Sequence, residues 1–362
     1  VSRTESSTRQ ISDPTSVPDQ AFAQIDQEIE RLVAELAGNA PLLDRMARYH
    51  LGFVTADGDP IPEDERFRLR GKRVRPLIAA LACQAAGGTL DHAAPLAASI
   101  ELLHNFTLIH DDIQDRSPNR RHRPTVWNIW GDAQAINAGD ALFAAAQIGI
   151  LNSAAPGIAA DDLLAVSRVF NRMTIDIVRG QVLDIEFEGR DDVTPDDYLQ
   201  MIQGKTSAIV EFAAWGGAVL GGSSVSEARS FADFGMALGI GFQIRDDALG
   251  VWGSSEETGK DTADDIRRRK QSLPVLILRA LASDDDRACL ETIFRKEHIA
   301  EDDVETVLCL FEHYGVAHEI EEQVRRYHDD AEAALRRLAA TSERAPLDAL
   351  HRLTDRLALR ST

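Results

Sequence analysis

Two groups of aspartates are spaced for chemistry. Asp111, Asp112 and Asp115 follow the apolar run ELLHNFTLIH, and Asp246 and Asp247 follow the apolar run GIGFQI. A spacing of four puts Asp111 and Asp115 on one face of a helix, with Asp112 turned about 100° from Asp111. Two hard oxygen donors on one face can hold Mg²⁺, which takes a few carboxylates together with substrate phosphates. Carboxylates crowded at the end of an apolar helix repel one another and lose hydration unless a cation joins them. The plainer reading is a solvated acidic helix end, which the helix dipole disfavours by only about 0.3–1 kcal/mol. Recurrence at Asp246 favours a multi-metal site able to neutralise a diphosphate leaving group.

Such a site needs cations beside its acids. Only five lysines stand among the 39 basic residues: Lys72, Lys205, Lys260, Lys270 and Lys296. Four of them fall in short basic motifs: Lys72 with Arg75 in GKRVRP, Lys205 in GKTSA, Lys260 in TGKD and Lys270 in RRRKQSLP. Arg120 and Arg121 lie in NRRHRPT. In a chain that otherwise prefers arginine, a retained lysine suits phosphate, which accepts a compact point charge. Surface solvation is the reading for Lys296, Arg267 and Arg268. His104 precedes Asp111 by seven residues, two helical turns back on nearly the same face. It either donates to a phosphate or is a core histidine bonded to a helix carbonyl. No GxSxG, HExxH, Walker A loop or GxGxxG after a strand is present, so the common nucleophilic, zinc-protease and nucleotide-binding chemistries lack their motifs.

The elements that must position these residues read as helices. Apolar residues recur at three and four positions, and strand-like alternation is nearly absent. The first helical segment runs from Ala21 to about Leu51, broken at Gly38–Pro41. A polar loop with Pro60 and Pro62 follows, then a buried helix with a basic approach over 70–88. The long apolar helix 91–115 ends in the first aspartates, and 116–127 is a loop. Helices are predicted over 135–154, 161–189 and after Pro195. Segments 207–222 and 231–253 have the Ala and Gly content of close-packed central helices, and amphipathic helices cover the core from about Ala282. The first twenty residues are polar and predict a disordered tail, leaving one domain over 21–362.

Composition narrows the partners. The 362 residues carry 44% hydrophobic side chains and a formal charge of -20. That charge opposes nonspecific binding to nucleic acid or an anionic membrane surface. No uncharged run reaches the length of a bilayer span and no apolar leader core is present. Cys83, Cys289 and Cys309 lie far apart with no CxxC pair, which argues against a disulfide framework or a zinc site and for a reducing cytoplasm.

Taken together, GKRVRP, LLHNFTLIHDDIQD, RRHRPT, GQVLD, GKTS and FQIRDD occur in the order and approximate spacing of the trans-isoprenyl diphosphate synthases, which the chain resembles from about Ala21 to its C-terminus. The resemblance implies an all-α orthogonal helical bundle with a central active-site cavity, formed as a single domain and usually a homodimer. It implies three Mg²⁺ ions, two bound by Asp111 and Asp115 and one by Asp246, all bridging an allylic diphosphate, with Asp112 and Asp247 as supporting acids. Arg120, Lys205 and Lys260 would hold the allylic diphosphate; Lys72, Arg75, His104 and Arg121 would hold isopentenyl diphosphate. Gln181, Asp184, Thr206 and Gln243 match positions lining the reaction centre, and Lys270 is an extra phosphate contact. Gly250 stands where many members have a third aspartate, and Asp261, Asp264 or Asp265 are the candidates to compensate.

Product length in this family depends on the depth of the apolar tunnel below the first cluster. Phe106, five residues before Asp111, can act as its floor or be ordinary core, and Thr107 beside it is small. With an aromatic there and no insertion within the first motif, the resemblance implies a C20 product, geranylgeranyl diphosphate, with C15 second. A class I terpene cyclase would not need Lys72, Arg75 and Arg121, and a noncatalytic partner subunit should have lost an aspartate cluster.

Overall fold

The computed structural model describes residues 16–253 and 263–358. It is almost wholly helical, as the apolar periodicity predicts, and the described residues gather into two compact units. One comprises residues up to Ala80 together with Ala97–Gly149, and the other Leu81–Leu96 together with Ile150 onward. The residues expected to form one domain over 21–362 thus divide into two contact-dense units. The first helix starts at Ser16, inside the segment expected to be tail.

The elements are α1 (Ser16–Ala34), α2 (Pro41–His50), α3 (Glu63–Leu69), α4 (Val74–Ala85), α5 (Leu90–Gln114), β1 (Asn119–Arg120), β2 (Arg123–Pro124), α6 (Val126–Trp130), α7 (Asp132–Leu151), α8 (Ala160–Phe187), α9 (Pro195–Ile202), α10 (Ala208–Leu220), α11 (Val225–Trp252), α12 (Asp264–Arg267), α13 (Leu273–Leu281), α14 (Asp284–Phe294), α15 (Glu301–His313), α16 (Val316–Leu338) and α17 (Arg344–Ala358). Prolines at the first turns of α2 and α9, with a Thr194–Asp197 capping box on α9, start those helices where their unpaired N–H groups need partners. Helix α11 begins six residues earlier than its composition suggests, because Ser224 and Glu227 form a capping box ahead of the apolar run.

In the first unit the buried residues include Ile25, Ile29, Met46, Ile78, Leu102 and Leu142. In the second, α11 packs along α10 and α16, and α8 lies against α10. Phe170, Phe212, Phe231 and Phe234 are fully buried there. Burying one such ring contributes about 1.5–3 kcal/mol, so these helices form the unit's rigid frame. Among the described residues no helix is long and apolar enough to cross a membrane.

Candidate active site

The first unit carries one half of the predicted constellation. Helix α5 ends on Asp111 and Asp112, and Asp115 N donates to Asp111 O at 2.8 Å, which extends the helical turn through Asp115. Asp111 is partly exposed and Asp115 exposed, on one helical face. Asp112 instead turns inward and is buried, where Arg120 grips it from Nε at 2.9 and 3.0 Å and from Nη2 at 2.8 Å. Burial pushes its carboxyl up, while the Arg120 hydrogen bonds oppose that shift. Asp112 is thus committed to Arg120, whereas Asp111 and Asp115 lie on the more exposed side of the helix.

The predicted loop after α5 is a tight hairpin, with Asn119 paired to Pro124 and Arg120 to Arg123. Arg121 and His122 form its two-residue turn, both in the left-handed region at φ 49° and 60°. Two such residues match the twist of a two-residue hairpin but cost backbone strain in side chains other than glycine. The turn aims the Arg121 guanidinium inward, donating to Leu69 O at 3.0 Å and packing on Gly71, where a Cβ would lie 3.0 Å from Nη2. Lys72 follows that glycine and is exposed. Arg73 is buried, ion-paired with Asp26 and 3.9 Å from Glu101; its role is structural.

Two buried histidines sit among these cations. Arg75 Nη1 lies 3.4 Å from His104 Nε2, and since arginine only donates, Nε2 accepts. Burial lowers His104 well below the ordinary imidazole range, and Arg75, Arg121 and Arg120 lower it further. His50 is depressed for the same reasons, with Arg121 first among its neighbours. Both rings are neutral at neutral pH, so His104 orients Arg75 and adds no charge. Arg120, Arg121, Arg123 and His50 line one recess with Asp112. Phe106 packs against His110 and Phe143, ring centroids 4.8 and 5.3 Å away, and Thr107 Oγ1 donates to His104 O at 2.8 Å.

The second unit carries the other half. Asp246 is exposed near the end of α11, whereas Asp247 is buried and fully engaged. Its Oδ2 accepts from Tyr198 OH at 2.5 Å and Leu273 N at 3.1 Å; its Oδ1 accepts from Lys270 Nζ at 3.0 Å and Gln243 Nε2 at 3.3 Å. Thr206 Oγ1 in turn donates to Gln243 Oε1 at 2.9 Å. Burial and the Asp247 charge together raise the Tyr198 hydroxyl, keeping it a donor. Desolvation works against the Lys270 ammonium, but Asp247 and Asp265 outweigh it and hold the charge. Lys270 is thus committed to two carboxylates, with 43% of its side chain still open.

Lys205 and Thr206 lie on a single π-turn, Gln203–Ser207, between α9 and α10. The turn passes so close to α8 that a Cβ on Gly180 would lie 2.2 Å from Lys205 N. Only glycine admits that approach, and it brings Lys205 Nζ onto Asp184, one turn further along α8. Gln181 follows Gly180 on the same helix. Irregular turns of this kind recur at functional sites because they reorient one side chain inside a regular helix.

Gly250 has a similar explanation. A Cβ there would lie 2.5 Å from Asp265 Oδ2 and 2.6 Å from its Cγ. Asp265, buried at the start of α12, fills the space that a side chain at 250 would take, and it shares Lys270 with Asp247. Asp264 instead points toward Arg268 at 3.8 Å. Lys260 and Asp261 lie outside the described residues. Sequence reasoning missed Tyr198 and His50; neither sits in a motif, and each meets its partners only after long chain separation.

The donors fit Mg²⁺. In the first unit Asp111 and Asp115, and in the second Asp246, are carboxylates at least partly open to solvent, the hard oxygen donors that Mg²⁺ takes.

Residues 63–311 match the family model for polyprenyl synthetase, and the chain belongs to that family. It is 41% identical over 235 residues to the (2E,6E)-farnesyl diphosphate synthase of Mycobacterium tuberculosis, covering 65% of this chain and 63% of that protein. It is 40% identical over 237 residues to the geranylgeranyl diphosphate synthase of the same organism, covering 65% and 64%. The chain therefore aligns with just under two thirds of the length of either relative. Its fold matches the crystal structure of polyprenyl synthetase from Streptomyces coelicolor at a TM-score of 0.84 and 33% identity, covering 95% of this chain and 99% of that one. The helical bundle expected from the motifs is the fold of that neighbour.

Proposed function

We propose that this chain is a Mg²⁺-dependent short-chain trans-prenyltransferase that condenses isopentenyl diphosphate with an allylic diphosphate (dimethylallyl, geranyl or farnesyl) to give geranylgeranyl diphosphate. The observation that carries this reading is the pairing, within one unit, of an outward acid face with a separate arginine cluster. Asp111 and Asp115 suit a metal-bound diphosphate, while Arg75 and Arg121, set around neutral histidines, suit a second diphosphate that needs no metal. A terpene cyclase has no use for the second set. A noncatalytic subunit has no use for the first.

Mg²⁺ held by Asp111, Asp115 and Asp246 would supply positive charge to the diphosphate oxygens of the allylic substrate. Lys205, fixed by Asp184, and Arg120, fixed by Asp112, add charge to the same group. Lys260 and Lys270 belong to that set by resemblance. The allylic C–O bond breaks, with its electron pair leaving on the diphosphate. Lys72, Arg75 and Arg121 hold isopentenyl diphosphate so that its double bond attacks the allylic cation, and His104 keeps Arg75 aimed. By resemblance Thr206 and Gln243 line the reaction centre; their mutual hydrogen bond and the one from Gln243 to Asp247 fix where their side chains lie. A proton is then lost to the departing diphosphate. Apolar walls exclude water, which would otherwise quench the cation.

Phe106, backed by Phe143, supports the C20 assignment as the floor of the tunnel. A farnesyl product is the alternative, since relatives of nearly equal identity carry both names. A homodimer is supported by an exposed apolar stripe on α8, Ile175, Val178, Val182 and Ile185, spaced three and four apart. The test is incubation of the purified protein with Mg²⁺, isopentenyl diphosphate and each of the three allylic diphosphates, followed by identification of products. A C20 product that disappears with chelator is expected; no elongation from any primer overturns the proposal.

A further inference from the structure

The final two helices carry a second group of metal-ligating side chains, remote in sequence from every motif used above. On α16, Glu332 follows His328 by four residues; on α17, Asp355 follows His351 by four. Each pair shares a helical face. The chain reverses between the helices, so His328 meets Asp355 and Glu332 meets His351. His328 Nε2 lies 3.1 Å from Asp355 Oδ1, and His351 Nδ1 lies 2.8 and 3.0 Å from the Glu332 oxygens. Donor atoms of His328, Glu332 and Asp355 all fall within 4.8 Å of one another.

We propose that His328, Glu332 and Asp355 bind a first-row transition-metal dication of the zinc class, and that the bound ion clamps α16 to α17. Three protein donors with a water in the fourth position form an ordinary tetrahedral zinc shell, whose donors stand roughly 3.3 Å apart at bonds of ~2.0–2.1 Å. His328, Glu332 and Asp355 are only partly buried, which leaves their side chains room to rotate toward that spacing. The imidazole donor selects Zn²⁺, Co²⁺ or Ni²⁺ over Mg²⁺, which prefers an all-oxygen shell. Two carboxylates balance the dication's charge. His351 holds the Glu332 carboxylate and so sets its orientation, as outer partners of metal ligands commonly do. His328 is oriented too, since it borders an apolar recess with Leu238, Val324 and Leu357. Arg336 Nη1, 3.9 Å from Glu332 and mostly exposed, can swing into solvent when the ion enters.

The site differs in ligand chemistry from the aspartate clusters, and that difference makes it testable. The chelator-treated full chain is titrated with Co²⁺, and separately with Zn²⁺, in excess Mg²⁺ so that oxygen-only sites are covered. One equivalent of Co²⁺ should develop the intense visible bands of a tetrahedral nitrogen-containing site, and Zn²⁺ should remove them and raise Tm. The double variant His328→Gln with Asp355→Asn, which keeps hydrogen-bonding groups in place, should lose the bands and weaken zinc binding by about 100-fold. Its metal-free melting curve and prenyl-transfer rate should match the parent chain. Asp355→His, which adds a nitrogen donor, should keep the bands. Absence of bands in both the parent chain and Asp355→His overturns the proposal, as does an identical spectrum in the double variant.

Discussion

Asp265 and Gly250 share one volume, so the two positions form an exchange pair. A carboxylate at 250 would press on the Asp265 carboxyl at under 3 Å, and overpacking of this kind costs about 1–3 kcal/mol. Gly250→Asp should therefore lower both Tm and turnover, and adding Asp265→Ala should recover part of each, read by thermal melts and steady-state rates. A double variant no better than Gly250→Asp would show that the two side chains do not compete. His50 and His104 give a second prediction at this scale. Both are held neutral in the native chain but titrate near 6.5 when unfolded. Below that pH the unfolded chain takes up two protons that the native chain refuses, so stability is full above about 6.5 and lost as pH falls. The loss is about 1.4 kcal/mol per pH unit for each histidine. His104→Gln should make the fall of unfolding free energy below about pH 6.5 shallower, measured by denaturant titration.

Helix ends and one irregular turn do most of the positioning. Helix α5 delivers its acids at its C-terminus because the apolar run behind them is buried, whereas α11 carries Asp246 within the helix and continues to Trp252. Expected helices and observed ones agree to within a few residues for α5, α7, α8 and α10, since each has a long apolar period. The hairpin at 119–124 and the π-turn at Lys205 have no such period; both are held by contacts with other elements, and neither was legible. The α5–α7 contact through Phe106 and Phe143 also sets a prediction. Phe106→Ala removes the ring that α7 supports, and product analysis should show chains lengthened beyond C20 from a farnesyl primer. An unchanged distribution would place the floor elsewhere.

For the molecule as a whole, the α8 stripe and the acidic surface pull in different directions. A net charge of -20 keeps copies apart, so association needs a patch where apolar burial wins. Val178→Asp with Val182→Asp should shift sedimentation or light-scattering mass from dimer to monomer while each chain stays helical by circular dichroism. A parent chain already monomeric at micromolar concentration would refute the dimer. The aspartate clusters, the basic motifs and the helical class were all determined by sequence alone, because residue type and a 3.6-residue period are local properties. Tertiary structure decided what the inward acids meet: helical spacing turns Asp112 away from Asp111 and Asp115, but only the fold brings Arg120 to it, and Tyr198 and Lys270 to Asp247. It also decided that His104 is neutral and that Asp265 fills the gap at Gly250. Burial, and the charges that burial brings together, depend on residues distant in the chain, and no local pattern records them.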